Sequence, residues 1–281
     1  MVTYHYIRDD SNFKCFTTQQ FRNQIDALRK KYQFVTVKEL LTKKSLEPTC
    51  CLTFDDGIKD CITNVLPILQ EYDISASFLI PMKLLIRKEI SLVQKRHLLF
   101  SKLGDIGFVN EFNKVVDDFF HVEELGITSN YDNELISSFK YILDNMDKSI
   151  CKYIIGGIFN KYFDEEEEFK QIYLNKQDLH NLYDSGMEIG THSFSHCHLD
   201  KLYFEDMKNE IELSAGVYEN EFGCLPFVIS YPMGSYNLLV KKMLKKVGYQ
   251  AGLTTKKDRN FIHTDLFEMN RYDCIDNPEY L

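Results

Sequence analysis

Thr53-Phe54-Asp55-Asp56-Gly57 places two adjacent carboxylates at the end of an apolar run. Side by side and without a cation, their repulsion raises the pKa of one of them. If a cation claims one carboxylate, the other is left as a base, a division of labour suited to hydrolysis. Gly57 lets the backbone turn sharply and approach a ligand closely. The same residues also suit a plain Asp-Gly turn that closes a strand.

A second group stands far down the chain, Gly190-Thr191-His192-Ser193-Phe194-Ser195-His196. Histidines four apart are expected to meet on one side of a helical turn, a usual spacing for a divalent metal. His198 competes with His196, but positions two apart on a helix diverge. Surface histidine pairs also arise by chance. Taken with the first group, however, one carboxylate and two imidazoles make three protein ligands and leave positions open for water. That is the arrangement of a catalytic rather than a structural metal site. The donor set does not by itself choose among divalent ions.

Two weaker signals follow. Ser230-Tyr231-Pro232-Met233-Gly234-Ser235-Tyr236 runs an apolar strand into Pro-x-Gly, a rigid turn whose backbone N–H groups could face an oxyanion; an ordinary turn has the same letters. The side chains of Tyr231, Pro232 and Tyr236 are expected to contact substrate. His5, in the first apolar run beside Tyr4, is either a core histidine or a proton carrier.

Short β-rich runs and amphipathic stretches alternate around these groups. Strands are expected at Val2–Ile7, Phe34–Val37, Cys50–Phe54, Ser75–Pro81, Met187–Thr191, Phe227–Tyr231, Ala251–Thr255 and Met269–Ile275. Helices fall after Thr17/Thr18, on to about Tyr72 with Pro67 kinking it, and near 204–221 and 237–248. Such alternation implies parallel strands joined by right-handed crossovers, an α/β fold whose active site lies at the C-terminal ends of the strands. From about 84 to 169 the pattern turns mainly helical and ends in the acidic run 164–168, expected to be a solvated helix face. The whole chain, 1–281, reads as one domain carrying that helical insertion.

Composition narrows the class. The chain has 281 residues, a length that α/β barrels reach as single units, and 44% of them are hydrophobic, enough for a sizeable core. Its 33 Lys and Arg against 42 Asp and Glu give a formal charge of -9, which argues against nucleic acid as a partner. None of the eight cysteines forms a C-x-x-C pair, and several sit in apolar runs as small hydrophobes. With no signal-like opening and no apolar run long enough to span a membrane, a cytoplasmic location is expected.

With these motifs in order, the sequence resembles the polysaccharide deacetylases that share the NodB homology domain. Thr53–Gly57 matches their T-F-D-D-G motif residue for residue, and His192–His196 their H-[ST]-x-x-H. The resemblance implies a distorted (β/α) barrel of about seven strands, Asp55 as general base, and Asp56, His192 and His196 as metal ligands. It implies a divalent ion, zinc first, with cobalt or nickel also accepted. It places Met233 where a backbone amide would stabilise the oxyanion. Ser230 stands where the family's third motif usually begins with arginine, and there is no tryptophan in the chain.

Tyr4-His5, with the later Phe21…Gln24-Ile25…Leu28, resembles the poly-N-acetylglucosamine deacetylase subgroup. There the early histidine is the general acid, which implies that role for His5. The subgroup's late arginine resembles Arg271 in Asn270-Arg271-Tyr272, which would hold Asp55 in place of the missing arginine. The implied function is removal of an N-acyl group, N-acetyl foremost, from an amino sugar or glycan. Two other readings differ from it: an amidohydrolase for small amides, formamides or imides, and a non-catalytic glycan-binding protein. The sequence leaves the oligomeric state open.

Overall fold

The computed structural model describes residues 1–9, 15–43, 47–120, 133–261 and 263–274 of the chain. They form two compact units, one from residues up to 88 and from 170 onward, the other from 89–169.

The first unit is built on a wholly parallel seven-stranded sheet that curls into a half-barrel. Its strands are β1 (Val2–Tyr4), β4 (Leu52–Phe54), β5 (Ser77–Ile80), β6 (Glu188–Thr191), β7 (Val228–Ser230), β8 (Ala251–Leu253) and β9 (Tyr272–Asp273), in the order β8-β7-β6-β5-β4-β1-β9. β2 (Gln33–Phe34) and β3 (Thr49–Cys50) pair separately. The expected α/β barrel architecture with seven strands is therefore present. Individual strands are shorter than the apolar runs that announce them. Val37, for example, starts a helix, because Thr36 and Glu39 form a capping box that begins α2 (Val37–Thr42). The same device at Thr17 and Gln20 starts α1 (Thr18–Leu28). Cys50 and Phe54 belong to different strands, and Ile275 lies outside the described residues.

Pro67 lies within a helical stretch that continues but changes its winding. The chain makes a wide π turn over Cys61–Val65 and passes through right-handed Val65 and Leu66 into α3 (Leu66–Glu71), so the wide turn stands directly before the proline. Three more helices complete this unit's crossovers: α8 (Lys176–Asp184), α9 (Phe204–Phe222) and α10 (Leu238–Val247). No helix of the described residues is long and apolar enough to cross a membrane.

Register places the chemistry. Tyr4 pairs with Phe54 and Phe54 with Phe78, and their rings stack across three strands at centroid distances of 5.1 and 4.8 Å. Tyr4 and Phe54 end their strands, so the next residues, His5 and Asp55, emerge together at the C-terminal edge. Asp55 N–H donates to Tyr4 O at 3.0 Å there.

Within the second unit α4 (Leu92–Phe120) breaks at Gly104, and α6 (Lys148–Tyr162) packs along it. Phe139, on α5 (Asn133–Asn145), meets Phe108 and Phe112 edge-on at 5.3 and 5.2 Å. The stretch 121–132 lies outside the described residues. The acidic run is not simply a solvated face. Asp164 caps the start of α7 (Glu165–Ile172), and Glu165 accepts from Lys95 Nζ at 2.8 Å and Ile90 N–H at 2.9 Å.

Candidate metal and hydrolytic site

The Asp-Asp-Gly turn at the end of β4 uses two successive left-handed residues, Asp56 (φ 72°) and Gly57 (φ 66°). Aspartate tolerates that conformation better than most side chains, and Gly57 has little choice. A Cβ there would meet Leu84 Cδ1 at 3.0 Å. The turn swings the two carboxylates apart. Asp55 faces Arg271, and Asp56 faces the histidines.

His192 and His196 do not lie on a helix. They follow β6 in a loop in which Ser193 (φ 57°) and His196 (φ 58°) are left-handed, so helical spacing is the wrong reason for their meeting. The loop is pinned instead. His196 N–H donates to Ser193 Oγ at 3.0 Å, while Met82 and Lys83 N–H donate to the carbonyls of Ser193 and Phe194. Ser195 N–H and Oγ–H both donate to Glu210 of α9, at 2.9 and 2.6 Å. The imidazole centroids are 4.8 Å apart.

One ligand atom from each of Asp56, His192 and His196 lies within 4.8 Å of the others; His198 is not in the cluster. His192 Nδ1 is 2.8 Å from Ser230 O. A carbonyl only accepts, so Nδ1 carries the proton, and the neutral ring keeps a bare lone pair on Nε2. Burial pushes the His192 pKa down to about 4, so that ring is neutral at physiological pH. Its Nε2 lone pair then faces Asp56 Oδ1 at 3.5 Å, two acceptors pointed at each other. His196 Nε2 is 3.1 Å from the same oxygen. Burial lowers the His196 pKa, but Asp56 outweighs it and raises it. Burial likewise opposes the Asp56 charge, and the histidines hold its pKa well below the ordinary range. A buried carboxylate oxygen and two convergent imidazoles fit a divalent cation, zinc included.

Asp55 is 2% exposed, and its charge is matched by Arg271, also 2% exposed. Nη1 and Nη2 reach Oδ1 and Oδ2, each at 2.9 Å. Desolvation works against the carboxylate, yet Arg271 outweighs it and brings the pKa down to about 2. Ser230 occupies the position of the missing arginine differently from any expectation: its Oγ donates to Asp55 Oδ2 at 3.0 Å and accepts from Arg271 Nη2 at 2.7 Å. Thr3, Thr53 and the Thr254 carbonyl take the remaining guanidinium hydrogens. Thr3 and Thr254 were not singled out in the sequence, and Thr53 and Ser230 entered it only as motif positions, without this role. The available signal was a hydroxyl at an inward position of an apolar strand, which needs a buried partner.

His5 follows β1 rather than sitting within it, is half-buried, and lies close enough to help hold both Asp55 and Asp56 ionised. Met233, left-handed at φ 53°, and Pro232 lie in the turn after β7. With Met233, four of the five left-handed residues other than glycine among the described residues lie in this turn and the two ligand loops, so backbone strain gathers around the site.

Tyr231 corrects an expectation. Its ring is fully buried and its hydroxyl donates to Phe267 O at 3.0 Å, so it supports the turn and cannot touch substrate. Pro232 is buried as well. Tyr236 is half-buried, stacks on Tyr231 at 4.8 Å, and donates to Glu268.

Residues 42–95 and 129–252 match the family model described as polysaccharide deacetylase. The Bacillus subtilis (strain 168) protein named "Putative polysaccharide deacetylase YxkH" is 31% identical over 84 residues. That alignment spans 30% of this chain and 30% of the relative's length. Streptococcus pyogenes deacetylase PplD, solved in complex with acetate, is similar with a TM-score of 0.63 at 15% identity, over 99% of this chain and 93% of that one. IcaB from Ammonifex degensii gives 0.62 at 13% identity, over 96% and 89%. At these identities the two structures speak to the shared fold, the curled seven-stranded parallel half-barrel.

Proposed function

The chain belongs to the polysaccharide deacetylase family, and from that membership we propose that it is a metal-dependent N-deacetylase acting on an amino sugar or glycan. The observation that carries the proposal is the convergence of Asp56, His192 and His196 beside a carboxylate, Asp55, that is kept ionised by Arg271.

Asp56, His192 and His196 would hold the ion, zinc first and cobalt or nickel next. Bound there, it supplies a Lewis acid that acidifies water and polarises an acyl oxygen. Asp55 is the general base. Arg271 and Ser230 together occupy one lone-pair position on Oδ1 and two on Oδ2, which leaves Oδ1 with room to accept a proton. Met233 contributes its backbone N–H to the developing oxyanion. His5 donates a proton to the departing amine, which leaves poorly without one. Arg271 orients Asp55 and keeps it charged. Of the side chains expected at the substrate, Tyr236 remains as a wall of the turn.

The reading takes residues 1–281 as a single catalytic domain with 84–169 inserted into it. A cytoplasmic location is part of the same reading, supported by the absence of disulfides among the described cysteines.

The test is metal analysis of the purified protein coupled to acetate release from soluble N-acetylated amino sugars and short glycans. Release that stops on chelation and returns with zinc is the expected result. Release confined to N-formyl compounds or imides would move the activity to small amides. No release from any compound by metal-loaded protein would overturn the deacetylase reading.

A further inference from the structure

His5 and Asp55 both stand one residue beyond the end of a strand, β1 at Tyr4 and β4 at Phe54. The two chains are tied just behind them, where Asp55 N–H donates to Tyr4 O at 3.0 Å. Support on one side alone lets a ring pivot, and a misplacement of about 1 Å can slow a reaction about 10²-fold. What fixes His5 from the other side is therefore a functional question.

The answer lies two residues ahead, at Ile7. This residue forms a parallel bridge with Phe16, in which Arg8 N–H donates to Phe16 O and Phe16 N–H donates to Tyr6 O. In that pattern the polar groups of Ile7 itself face away from Phe16. Ile7 is fully buried, so both groups need partners inside the protein. Side chains supply them. Asp60 Oδ2 accepts from Ile7 N–H at 3.1 Å, and Asn64 Nδ2 donates to Ile7 O at 2.7 Å. Asp60 is 6% exposed and is steadied in turn by Arg8, whose Nε and Nη2 reach Oδ2 and Oδ1 at 2.8 and 2.6 Å.

Both grips come from the chain that has just supplied Asp55 and Asp56. Asp60 stands at the head of the π turn over Cys61–Val65, and Asn64 lies within it. Single π turns are frequent at functional sites, and this one brings two polar side chains onto one peptide position. An ion pair that merely joins two loops would account for Arg8 and Asp60. It does not account for the same carboxylate taking Ile7 N–H while a neutral amide takes the carbonyl of that residue. Two grips on one residue fix an orientation as well as a distance. The segment carrying His5 is thus held at Tyr4 behind and at Ile7 ahead, each time by the segment carrying the base.

We propose that Asp60 and Asn64 are positioning residues that set His5 against Asp55 through the Ile7 backbone. The use made of His5 rests on the deacetylase reading, whereas its placement is measured without turnover.

The test is proton–carbon NMR of the histidine rings in the zinc-loaded full chain, beside zinc titration and the kinetics of acetate release. The His5 line is identified by its loss in His5→Ala. Asp60→Ala and Asn64→Ala should each shift or broaden it, while the line of His180, on α8, stays in place. Zinc affinity should stay within about twofold of wild type, KM should change little, and kcat should fall about 10–10²-fold. Asp60→Asn, which keeps an acceptor for Ile7 N–H but not the charge that pairs with Arg8, should restore most of kcat. In the His5→Ala background Asp60→Ala should cost less than about twofold more, because the residue it acts through is gone. A His5 line unmoved in both alanine variants, fully additive losses in the double variant, or Asp60→Asn no better than Asp60→Ala would each overturn the positioning role. A wild-type protein that releases no acetate would sink the deacetylase reading instead, and the His5 line would still decide whether Asp60 and Asn64 place that ring.

Discussion

Arg271 and Asp55, 216 positions apart, meet through two parallel hydrogen bonds of 2.9 Å in the interior of the half-barrel. A buried carboxylate left without its cation is strongly destabilising, by about 3–5 kcal/mol. Arg271→Met is therefore expected to lower unfolding stability by about that amount and to raise the Asp55 pKa from about 2. Arg271→Lys keeps the charge but cannot span both oxygens together with Ser230, so it recovers only part of the loss. Urea denaturation reads both. A wild-type midpoint in Arg271→Met would mean that the pair contributes nothing to the fold.

Asp55 and His5 leave strands whose ends are in register, and they are given opposite proton-transfer roles. Asp55→Asn is expected to keep zinc while losing turnover by about 10²–10⁴-fold, the usual range for a general base. His5→Ala should slow turnover within the same range and leave zinc affinity nearly unchanged. Zinc titration beside kcat separates the two effects. Robust turnover in Asp55→Asn, or an unchanged rate in His5→Ala, removes the residue from its role.

What the sequence exposed and what it concealed follow physical lines. Asp55-Asp56-Gly57 and the His192/His196 pair were legible because their chemistry is local, residue types a few positions apart. Their geometry was less so: the histidines meet through left-handed residues at Ser193 and His196, not through a helical turn. Arg271 was reached only through resemblance, since no local pattern ties it to Asp55. Thr3 and Thr53 are paired in register on β1 and β4, and Ser230 reaches the same guanidinium from β7 in the curled sheet, a relation spread over the whole chain. Tyr231 misled because a tyrosine beside a turn can face inward. Here Gly252 leaves room for its ring.

Glu188 opens β6 and is unrelated to catalysis. Its Oε2 accepts from Ser77 Oγ at 2.5 Å and Lys38 N–H at 3.2 Å, while buried Oε1 has no hydrogen-bond partner among the described residues. Burial raises its pKa above the ordinary glutamate value, more than Ser77 and Lys38 lower it. The folded protein thus keeps this proton to higher pH than the unfolded chain does. Its contribution to stability is full below the unfolded pKa and is lost as pH rises through the folded one. Wild type should therefore lose stability relative to Glu188→Gln between mildly acidic and neutral pH. Unfolding midpoints of both proteins across that window check this, and parallel curves would refute the assignment.

Gly190 sits in the middle of the sheet, two residues before His192, where β6 is flanked by β5 and β7. A Cβ there would meet Leu79 Cδ1 at 2.6 Å, Val228 Cγ1 at 2.7 Å and Val228 O at 2.8 Å. Leu79 can rotate away, but the carbonyl belongs to the neighbouring strand and cannot yield without moving β7. Overpacking of this kind costs about 1–3 kcal/mol. Ser230, on β7, fixes the His192 tautomer through its carbonyl and bridges Asp55 to Arg271. A shift between β6 and β7 therefore reaches both the metal ligands and the base. Gly190→Ala is expected to be less stable by that amount and also to bind zinc more weakly than wild type at temperatures where it remains folded. Calorimetric zinc titration together with thermal unfolding tests the coupling. Lost stability with unchanged zinc affinity would show that the strand pair yields without disturbing the site.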